Sequence, residues 1–207
     1  DHLIRNNVFV VYLSSDQVYD GSVPYRRAED SPCPKTEYGR QKAAVEGQIN
    51  SWDKAIAIVR LTKVIGSCDQ LFTSWINDLL RGKTVRPFID MSIAPIPLSS
   101  VVSILKLIID GRMSGITQIS GDRDVSYADA LQMGAKLLDI ELELVQPAKA
   151  GDLGYTEYLP TYTSLNTDRL KNELGVVPPE VAWTLRTAFC NPLLLAGLHN
   201  SYAILKD

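Results

Sequence analysis

The sequence predicts an α/β fold built around a parallel sheet, and three apolar segments support this prediction. Val8–Leu13 is an unbroken apolar run, and Ala55–Leu61 is a second run of strand length. Between them, the segment from about Lys35 to Trp52 has helical spacing. Buried strands joined through a helix are typical of a βαβ unit in a parallel sheet. Ile116–Gly121 is expected to add a third strand.

The remaining elements follow from apolar spacing, caps and turns. Ser99 or Ser100 is expected to cap an apolar helix, and Ser126 with Asp129 forms a start like a capping box. Trp183 is expected to pack inward from the last helix. Further helices are predicted over Gln70–Arg81, Val101–Asp110, Ser126 to about Leu138, Asp168–Leu174 and Glu180–Phe189, and further strands over Val85–Ile89 and Glu141–Val145.

Length and composition exclude several function classes. The chain has 207 residues, 45% hydrophobic content and a formal net charge of -3, with no basic run, so nothing indicates binding to nucleic acid or to an anionic membrane. The longest apolar stretch, Val101–Ile109, is too short to cross a bilayer. The 3 cysteines form no C-x-x-C pair, which suits reduced thiols in a cytoplasmic protein. With only 2 histidines, neither a histidine metal site nor histidine catalysis is expected.

Polar side chains cluster immediately after the first predicted strand. Ser14, Ser15 and Asp16 follow Leu13 directly. In open α/β sheets, ligands bind beyond the carboxyl ends of the strands, which is where these side chains would project. If the strand continues, neighbouring side chains point to opposite faces. This strand end is therefore a candidate ligand site.

A tyrosine and a lysine stand four residues apart at the start of the predicted helix, so Tyr38 and Lys42 share one face. That face continues as an apolar stripe of Val45, Ile49 and Trp52. A lysine in line with such a stripe is unusual, because burying an ammonium is costly. The helix alone leaves two interpretations, a lysine that reaches out to solvent or a functional pair. The polar strand end upstream favours the functional pair.

These segments together resemble the extended short-chain dehydrogenase/reductases, and within them the dTDP-4-dehydrorhamnose reductase branch. The Tyr-x-x-x-Lys pair alone is a weak signal, but at this spacing from the other segments it is a strong one. The resemblance runs in order from about Val8 to Leu185. Its segments are Leu13–Gly21 (Leu-Ser-Ser-Asp-Gln-Val-Tyr-Asp-Gly), Pro24-Tyr25 with Glu29-Asp30, and Tyr38–Lys42 (Tyr-Gly-Arg-Gln-Lys).

The resemblance implies the C-terminal part of a Rossmann-like parallel sheet with a small α/β substrate-binding lobe. Residues 1–66 and 99–121 would form the remaining part of the dinucleotide-binding domain, and residues 67–98 and 122–190 the lobe. Residues 191–207 would be a tail beyond the family pattern, covering exposed surface or packing on a partner chain.

One family feature is missing from the sequence. In the family, the first strand seen here is preceded by βα units with a glycine-rich turn that holds the cofactor pyrophosphate. None of the 13 glycines forms a G-x-G-x-x-G or G-x-x-G-x-x-G turn. We therefore expect the chain to be the C-terminal part of a larger protein. Association with such an N-terminal segment and a homo-oligomer both stay open.

The resemblance also implies an activity, the NADP- or NAD-dependent reduction of a 4-keto nucleotide sugar. Tyr38 would be the general acid, and Ser15 would hydrogen-bond the substrate carbonyl. Lys42 would contact the nicotinamide ribose, and its ammonium, one turn from the phenol, would stabilise a phenolate. The residues expected to contact the cofactor are Ser14, Tyr38, Lys42, Leu61 and Thr62.

Four residues are expected at the sugar nucleotide: Asp16, Tyr19, Lys63 and Pro95. Asp16 either polarises the network of Ser15, Tyr38 and Lys42 or only caps the turn. Lys63 stands where the reductases have a tryptophan that helps to hold the substrate. Pro95 lies in an extended segment, Ala94–Pro97, that resembles a family stretch near the ligand and could equally be a connector. No metal site is expected.

Two other functions stay open. The first is a non-catalytic nucleotide-binding or regulatory subunit that resembles the β subunit of methionine adenosyltransferase, a relative in the same branch. Lys63 in place of the tryptophan favours this alternative, whereas the intact Ser15, Tyr38 and Lys42 favour catalysis. In the second, the chain binds no dinucleotide because the phosphate-binding turn is absent.

Overall fold

The computed structural model describes residues 6, 8–49, 55–66 and 69–190. Trp52 and the tail 191–207, both considered in the sequence analysis, lie outside these residues. Within the described part of the chain, no helix is both long and apolar enough to span a membrane.

Seven strands and six α-helices make up the described chain. The strands are β1 (Val10–Ser15), β2 (Ile56–Leu61), β3 (Val64–Ile65), β4 (Ser92–Ile93), β5 (Ile96–Pro97), β6 (Gly115–Ile119) and β7 (Val125–Ser126). The helices are α1 (Glu37–Ile49), α2 (Gln70–Leu80), α3 (Leu98–Asp110), α4 (Tyr127–Leu137), α5 (Asp168–Leu174) and α6 (Val181–Phe189).

The main sheet has three strands in the order β1-β2-β6, all parallel. Val10 pairs with Ile56 and Ser15 with Leu61, so β1 reaches two residues further than predicted. The α/β class with a parallel sheet is therefore confirmed. Two short pairs, parallel β3–β5 and antiparallel β4–β7, lie outside this sheet.

The two longer strands differ in burial. Five of the six residues of β2 are buried, since this strand is central and has neighbours on both sides. β1 lies at the edge, and Leu13 is 44% exposed. β1 is therefore less buried than its unbroken apolar run predicts, whereas β2 is as buried as predicted.

Two large hydrophobic clusters, besides a small one around Val18, Tyr19 and Leu165, stabilise the fold. One lies between the sheet and α3, with α5 at its margin: Ala57, Val59, Ile96, Val101, Ile104, Ile108, Ile119 and Leu170. The other joins α2, α4 and α6, and its large members include Phe72, Ile76, Leu79, Leu131, Leu185 and Phe189. Since Leu170 packs in the sheet cluster, α5 belongs with the sheet, although the sequence analysis placed residues 122–190 in the lobe. The division into two domains otherwise stays a prediction.

Two predicted strands do not form. Val85–Ile89 makes only isolated parallel bridges, Val85 with Val145 and Phe88 with Ala148. Pro87 has no N–H to donate, which interrupts a continuous ladder. Most of the second segment is a single 3₁₀ turn, Leu142–Leu144, so its alternating polarity marks a surface turn rather than a half-exposed strand.

The predicted cap of the long apolar helix is also wrong. α3 begins at Leu98, one residue after Pro97, and the N-cap position has no side-chain hydrogen bond. Ser99 and Ser100 therefore lie inside the first turn and cap nothing. The fixed backbone of a proline suits this boundary without a hydroxyl.

The cap of α4 is confirmed, and the packing of α6 is not as predicted. Ser126 Oγ accepts a hydrogen bond from the Asp129 N–H at 3.0 Å and donates one to the Asp129 carboxylate at 2.7 Å. In α6, Val181 and Leu185 are fully buried, whereas Trp183 is 50% exposed. Trp183 therefore faces outward, because the buried stripe of this helix runs through the other two residues.

Candidate active site

A cavity of about 660 Å³ opens beyond the carboxyl ends of β1 and β2. Its walls come from the two strand ends, the first turns of α1 and the loop 155–163. Pro95 is buried and does not line it. Nine of the ten predicted site residues do line it: Ser14, Ser15, Asp16, Tyr19, Tyr38, Lys42, Leu61, Thr62 and Lys63.

The end of β1 turns into a single 3₁₀ turn, Asp16–Val18, and Ser15 is its N-cap residue. The Ser15 hydroxyl accepts a hydrogen bond from the Gln17 N–H at 3.2 Å and donates one to Asp16 Oδ1 at 2.8 Å. Because both bonds are local, they fix the hydroxyl at the strand end. Ser15 rather than Asp16 is thus the residue that caps the turn.

Asp16 is a half-buried carboxyl in the cavity wall. Burial raises the pKa of the Asp16 carboxyl to about 6, although the hydrogen bond from Ser15 acts in the opposite direction. Burial has this effect because it disfavours the charged form. The site therefore contains an acid that titrates close to neutral pH, next to the serine hydroxyl.

Ser14 and Ser15 point to opposite faces of the sheet, as predicted. Ser14 pairs in register with Arg60, and Ser15 pairs with Leu61. The Ser14 hydroxyl is buried and has no hydrogen-bond partner among the described residues. A buried hydroxyl without a partner is uncommon, and because its oxygen is buried, Ser14 lines the cavity without presenting this hydroxyl to it.

Tyr38 and Lys42 meet one helical turn apart at the cavity. Tyr38 is 49% exposed, and the ammonium nitrogen of Lys42 lies 5.5 Å from the centroid of its ring. Lys42 Nζ also donates a hydrogen bond to the Leu13 carbonyl at 2.8 Å. The ammonium is therefore tied to β1, which contradicts the interpretation that Lys42 only reaches out to solvent.

The first turn of α1 rests directly on the turn after β1. A Cβ atom on Gly39 would lie 2.0 Å from the Gln17 carbonyl oxygen, so only glycine permits this contact. Thr36 Oγ1 accepts a hydrogen bond from the Gly39 N–H at 3.0 Å and donates one to Gln17 Oε1 at 2.8 Å. These contacts hold the helix that carries the phenol against the turn that holds the serine.

The buried face of α1 is not the predicted apolar stripe. Val45 and Ile49 are only half-buried, and Trp52 is not described. Glu46 is buried instead, and it binds Arg60 of β2 through two nitrogens, with Nη2–Oε2 at 2.7 Å and Nε–Oε1 at 3.1 Å. This ion pair attaches the middle of the helix to the centre of the sheet.

The same guanidinium also fixes the loop that follows β1. Arg60 Nη1 donates to the Ala28 carbonyl at 3.1 Å and to the Tyr19 hydroxyl, which itself donates to the Arg27 carbonyl. Burial raises the pKa of Tyr19 to about 12. The Tyr19 hydroxyl is therefore occupied in a buried network, and only its ring is left to line the cavity.

At the end of β2, both polar side chains already have partners. The Thr62 hydroxyl is buried and donates to the Ala94 carbonyl. Lys63 Nζ forms an ion pair with Asp69 Oδ2 at 2.9 Å, and the other Asp69 oxygen caps α2 by accepting from the Leu71 N–H at 3.1 Å. Lys63 is thus a neutralised cation in the cavity wall.

The opposite wall was missed by the sequence analysis. Tyr155, Tyr158 and Tyr162 line it with partly exposed rings. The Tyr158 hydroxyl donates to the Asp20 carbonyl, and the Tyr162 N–H donates to the Gly21 carbonyl at 2.9 Å. The density of tyrosine between residues 155 and 162 was the available signal. We call residues 155–162 the tyrosine wall.

Comparison with known protein families now assigns the chain. Residues 4–191 match the sequence model of the family described as "RmlD substrate binding domain". The chain belongs to the RmlD substrate-binding-domain family. The match spans most of the sequence, so the resemblance to the dTDP-4-dehydrorhamnose reductase branch is confirmed at family level.

Solved structures share the fold of this RmlD-family chain. A dTDP-4-dehydrorhamnose reductase from Clostridium acetobutylicum superposes with a TM-score of 0.79 at 20% identity over 89% of this chain and 66% of that one. The enzyme of the same name from Bacillus anthracis, in complex with NADP, gives 0.77 at 19% identity over 86% and 64%. MoeE5 in complex with UDP-glucuronic acid and NAD gives 0.73 at 21% identity over 90% and 66%. Identities this low show the fold alone.

Curated relatives match a shorter part of the RmlD-family chain. Methionine adenosyltransferase 2 subunit beta of Pongo abelii is 35% identical over 63 residues, which is 30% of this chain and 19% of that protein. The Rattus norvegicus protein is 33% identical over the same length. The chain thus aligns with about a fifth of the length of these relatives, and it spans 64% of the reductase from Bacillus anthracis.

Proposed function

We propose that the RmlD-family chain carries the proton-donating site of an NAD(P)H-dependent reductase of a 4-keto nucleotide sugar. One observation carries the proposal. Ser15, Tyr38 and Lys42 line a single cavity beyond the ends of two parallel strands, with the ammonium beside the phenol ring. The family match and the NADP-bound fold neighbour support the reaction class.

The three side chains have separate tasks in the proposed reaction. The substrate ketone oxygen accepts hydrogen bonds from the Ser15 hydroxyl and the Tyr38 phenol. As hydride reaches the carbonyl carbon, the phenol proton moves to the oxygen, which leaves an alcohol and a phenolate. The Lys42 ammonium stabilises the negative charge on that phenolate. In the free protein the Ser15 hydrogen points to Asp16, so it has to rotate toward the substrate oxygen.

The cofactor would supply the hydride, and part of its site fits the residues present. The ammonium of Lys42 lines the cavity, where it suits the hydroxyls and amide carbonyl of a nicotinamide riboside, whereas the Ser14 hydroxyl is buried in the cavity wall. A glycine turn for the pyrophosphate does not occur in the sequence. The nicotinamide end therefore has a candidate partner here, whereas the family's glycine turn for the pyrophosphate is missing from the sequence.

The tyrosine wall suits the nucleotide sugar. Ring faces of Tyr155, Tyr158 and Tyr162 can pack on a base or on the apolar face of a sugar. A fold neighbour bound to UDP-glucuronic acid supports a ligand of this class. Lys63 is held by Asp69, so it is not expected to replace the tryptophan of the reductases as a packing surface.

A second candidate function is a non-catalytic binding subunit. The curated relatives, at 33–35% identity over 63 residues, are subunits named methionine adenosyltransferase 2 subunit beta. In such a role the cavity would bind a nucleotide or sugar nucleotide without turnover. The ion-paired Lys63 at the substrate position favours this candidate.

A turnover assay separates the two candidates. The full-length protein is incubated with NADPH or NADH and a series of dTDP-4-keto sugars, and oxidation is followed by absorbance. We expect turnover that falls roughly 100-fold or more in Tyr38→Phe, with nucleotide binding retained by calorimetry. Tyr25→Phe is the matched control, because this exposed tyrosine lies outside the cavity. Ligand binding without turnover for every sugar would favour the binding subunit.

A further inference from the structure

We propose that Tyr12 is a positioning residue for Lys42 and that Tyr12 and Tyr38 together form an aromatic cage around its ammonium. The inference rests on the proposed function, in which Lys42 acts on the phenol of Tyr38. Tyr12 lies outside the sequence segments that carry the family resemblance, so the motif assigns it no role.

The cage is defined by three contacts from two elements. Lys42 Nζ lies 5.0 Å from the ring centroid of Tyr12 and 5.5 Å from that of Tyr38. The Leu13 carbonyl, next to Tyr12 on β1, accepts its hydrogen bond at 2.8 Å. Both ring distances are within the range of a cation–π contact, about 6 Å. The ammonium is thus held between strand and helix.

No carboxylate in the part of the chain that the structure describes shares this position. None of the ion pairs between described residues involves Lys42. Glu46 is one turn further along α1, but it binds Arg60 through both oxygens. The ammonium is therefore oriented without a neutralising partner.

This arrangement matters for the chemistry of the phenol. A carboxylate beside Lys42 would also hold the ammonium, but its charge would cancel most of the field at the Tyr38 oxygen. An aromatic ring attracts a cation through its quadrupole and has no net charge. A cage of two rings therefore fixes the position of the cation and leaves its charge acting on the reaction.

The chemical state of Tyr12 is consistent with this role. Burial, followed by the negative charge of Glu46, raises the pKa of Tyr12. The residue therefore stays a neutral phenol over the working pH range, with an intact π face toward the ammonium.

The first test observes the cage without any turnover. Lysines are reductively dimethylated with ¹³C-formaldehyde, and the Lys42 signal is assigned by its loss in Lys42→Arg. Ring currents should move the Lys42 methyl protons upfield of those of the other lysines, with cross-peaks to ring protons of Tyr12. Tyr12→Phe should keep the shift, and Tyr12→Leu should lose a large part of it. Wild-type methyl signals at the position of exposed lysines, or an unmoved signal in Tyr12→Leu, would overturn the cage.

The second test asks whether the cage serves the reaction. Tyr12→Leu should lower kcat roughly threefold to tenfold with KM little changed, which is the size expected from the loss of one cation–π contact. Tyr12→Phe, which keeps the ring, should stay close to wild type. A Tyr12→Leu variant that loses the NMR shift but keeps wild-type kcat would overturn the positioning role. If wild type turns over no sugar, the proposed function fails, and the NMR experiment alone decides the cage.

Discussion

Two cations at helix α1, Arg60 from β2 and Lys42 from the helix itself, differ in burial and in their partners. Arg60 is 1% exposed and binds both oxygens of Glu46. Lys42 lies at the cavity and contacts a backbone carbonyl and two ring faces. The comparison indicates two separate roles along α1. The charge of Arg60 holds the helix on the sheet, whereas the charge of Lys42 stays available to a ligand.

The largest effect is expected where the buried charge is removed. Arg60→Met leaves the Glu46 carboxylate buried without a partner, which should lower the free energy of unfolding by about 3–5 kcal/mol. Urea denaturation measures this change. The double variant Arg60→Met with Glu46→Leu should recover most of the loss. A loss below about 1 kcal/mol in the single variant would mean that the pair does not hold the helix.

The same substitution at the other cation should separate activity from stability. Lys42→Met should lower turnover roughly 100-fold, because the cation that stabilises the phenolate is lost. Its free energy of unfolding should change by less than about 2 kcal/mol, since Lys42 forms one hydrogen bond to Leu13 and two partly exposed ring contacts. Lys42→Arg, which keeps the charge, is the control and should retain more activity. A loss of stability as large as that of Arg60→Met would mean that Lys42 also holds the helix, which would contradict the distinction between the two cations.

The Asp16 carboxyl in the cavity wall makes the stability of the protein depend on pH. The pKa of Asp16 is raised by burial to about 6, from an ordinary value of 3.8, so the folded protein binds this proton more tightly than the unfolded chain. The stabilising contribution is complete below about pH 4 and is lost as pH rises through about 6. Wild type should therefore lose stability relative to Asp16→Asn as the pH rises, and the difference in free energy of unfolding should grow by about 2 kcal/mol between pH 4 and pH 7. Thermal unfolding of both proteins across this range measures the difference, and a constant difference would contradict it.

The smallest effect is expected for a cation that neither packs nor faces the cavity. Lys106 forms an exposed ion pair with Asp110 at 2.6 Å. Lys106→Met should change the free energy of unfolding by less than about 0.5 kcal/mol and leave turnover unchanged. This variant is the baseline for the two methionine substitutions above, and both quantities are measured in the same assays.

The sequence was sufficient for the elements that local pattern determines. The apolar runs at β1 and β2 and the helical spacing of α1 predicted the parallel sheet, because the type of each segment follows from its own residues. The cluster of Ser15, Tyr38 and Lys42 followed from motif spacing and from the rule that ligands bind at strand ends.

What the sequence left out depends on partners far along the chain. Arg60 stands in an apolar strand and Glu46 on a helix, and neither position indicates that the two charges meet. The tyrosine wall was missed because its place is set by contacts with Asp20 and Gly21, more than a hundred residues away. The alternation of polar and apolar residues over 141–145 led to a wrong prediction of a strand, because the residues of a surface turn can alternate in polarity by chance.

The close contact at Gly39 limits which parts of the cavity can change to accept ligands of different size. At Gly39 the helix that carries the phenol lies so close to the Gln17 carbonyl that no side chain fits between them, so the distance between helix and serine turn is fixed. Ligands of different size therefore have to be accommodated from the far side, by lengthening or shortening the tyrosine wall. If the proposed function holds, loop libraries over residues 155–162 are the place to search for altered sugar preference, with Ser15, Tyr38 and Lys42 kept unchanged.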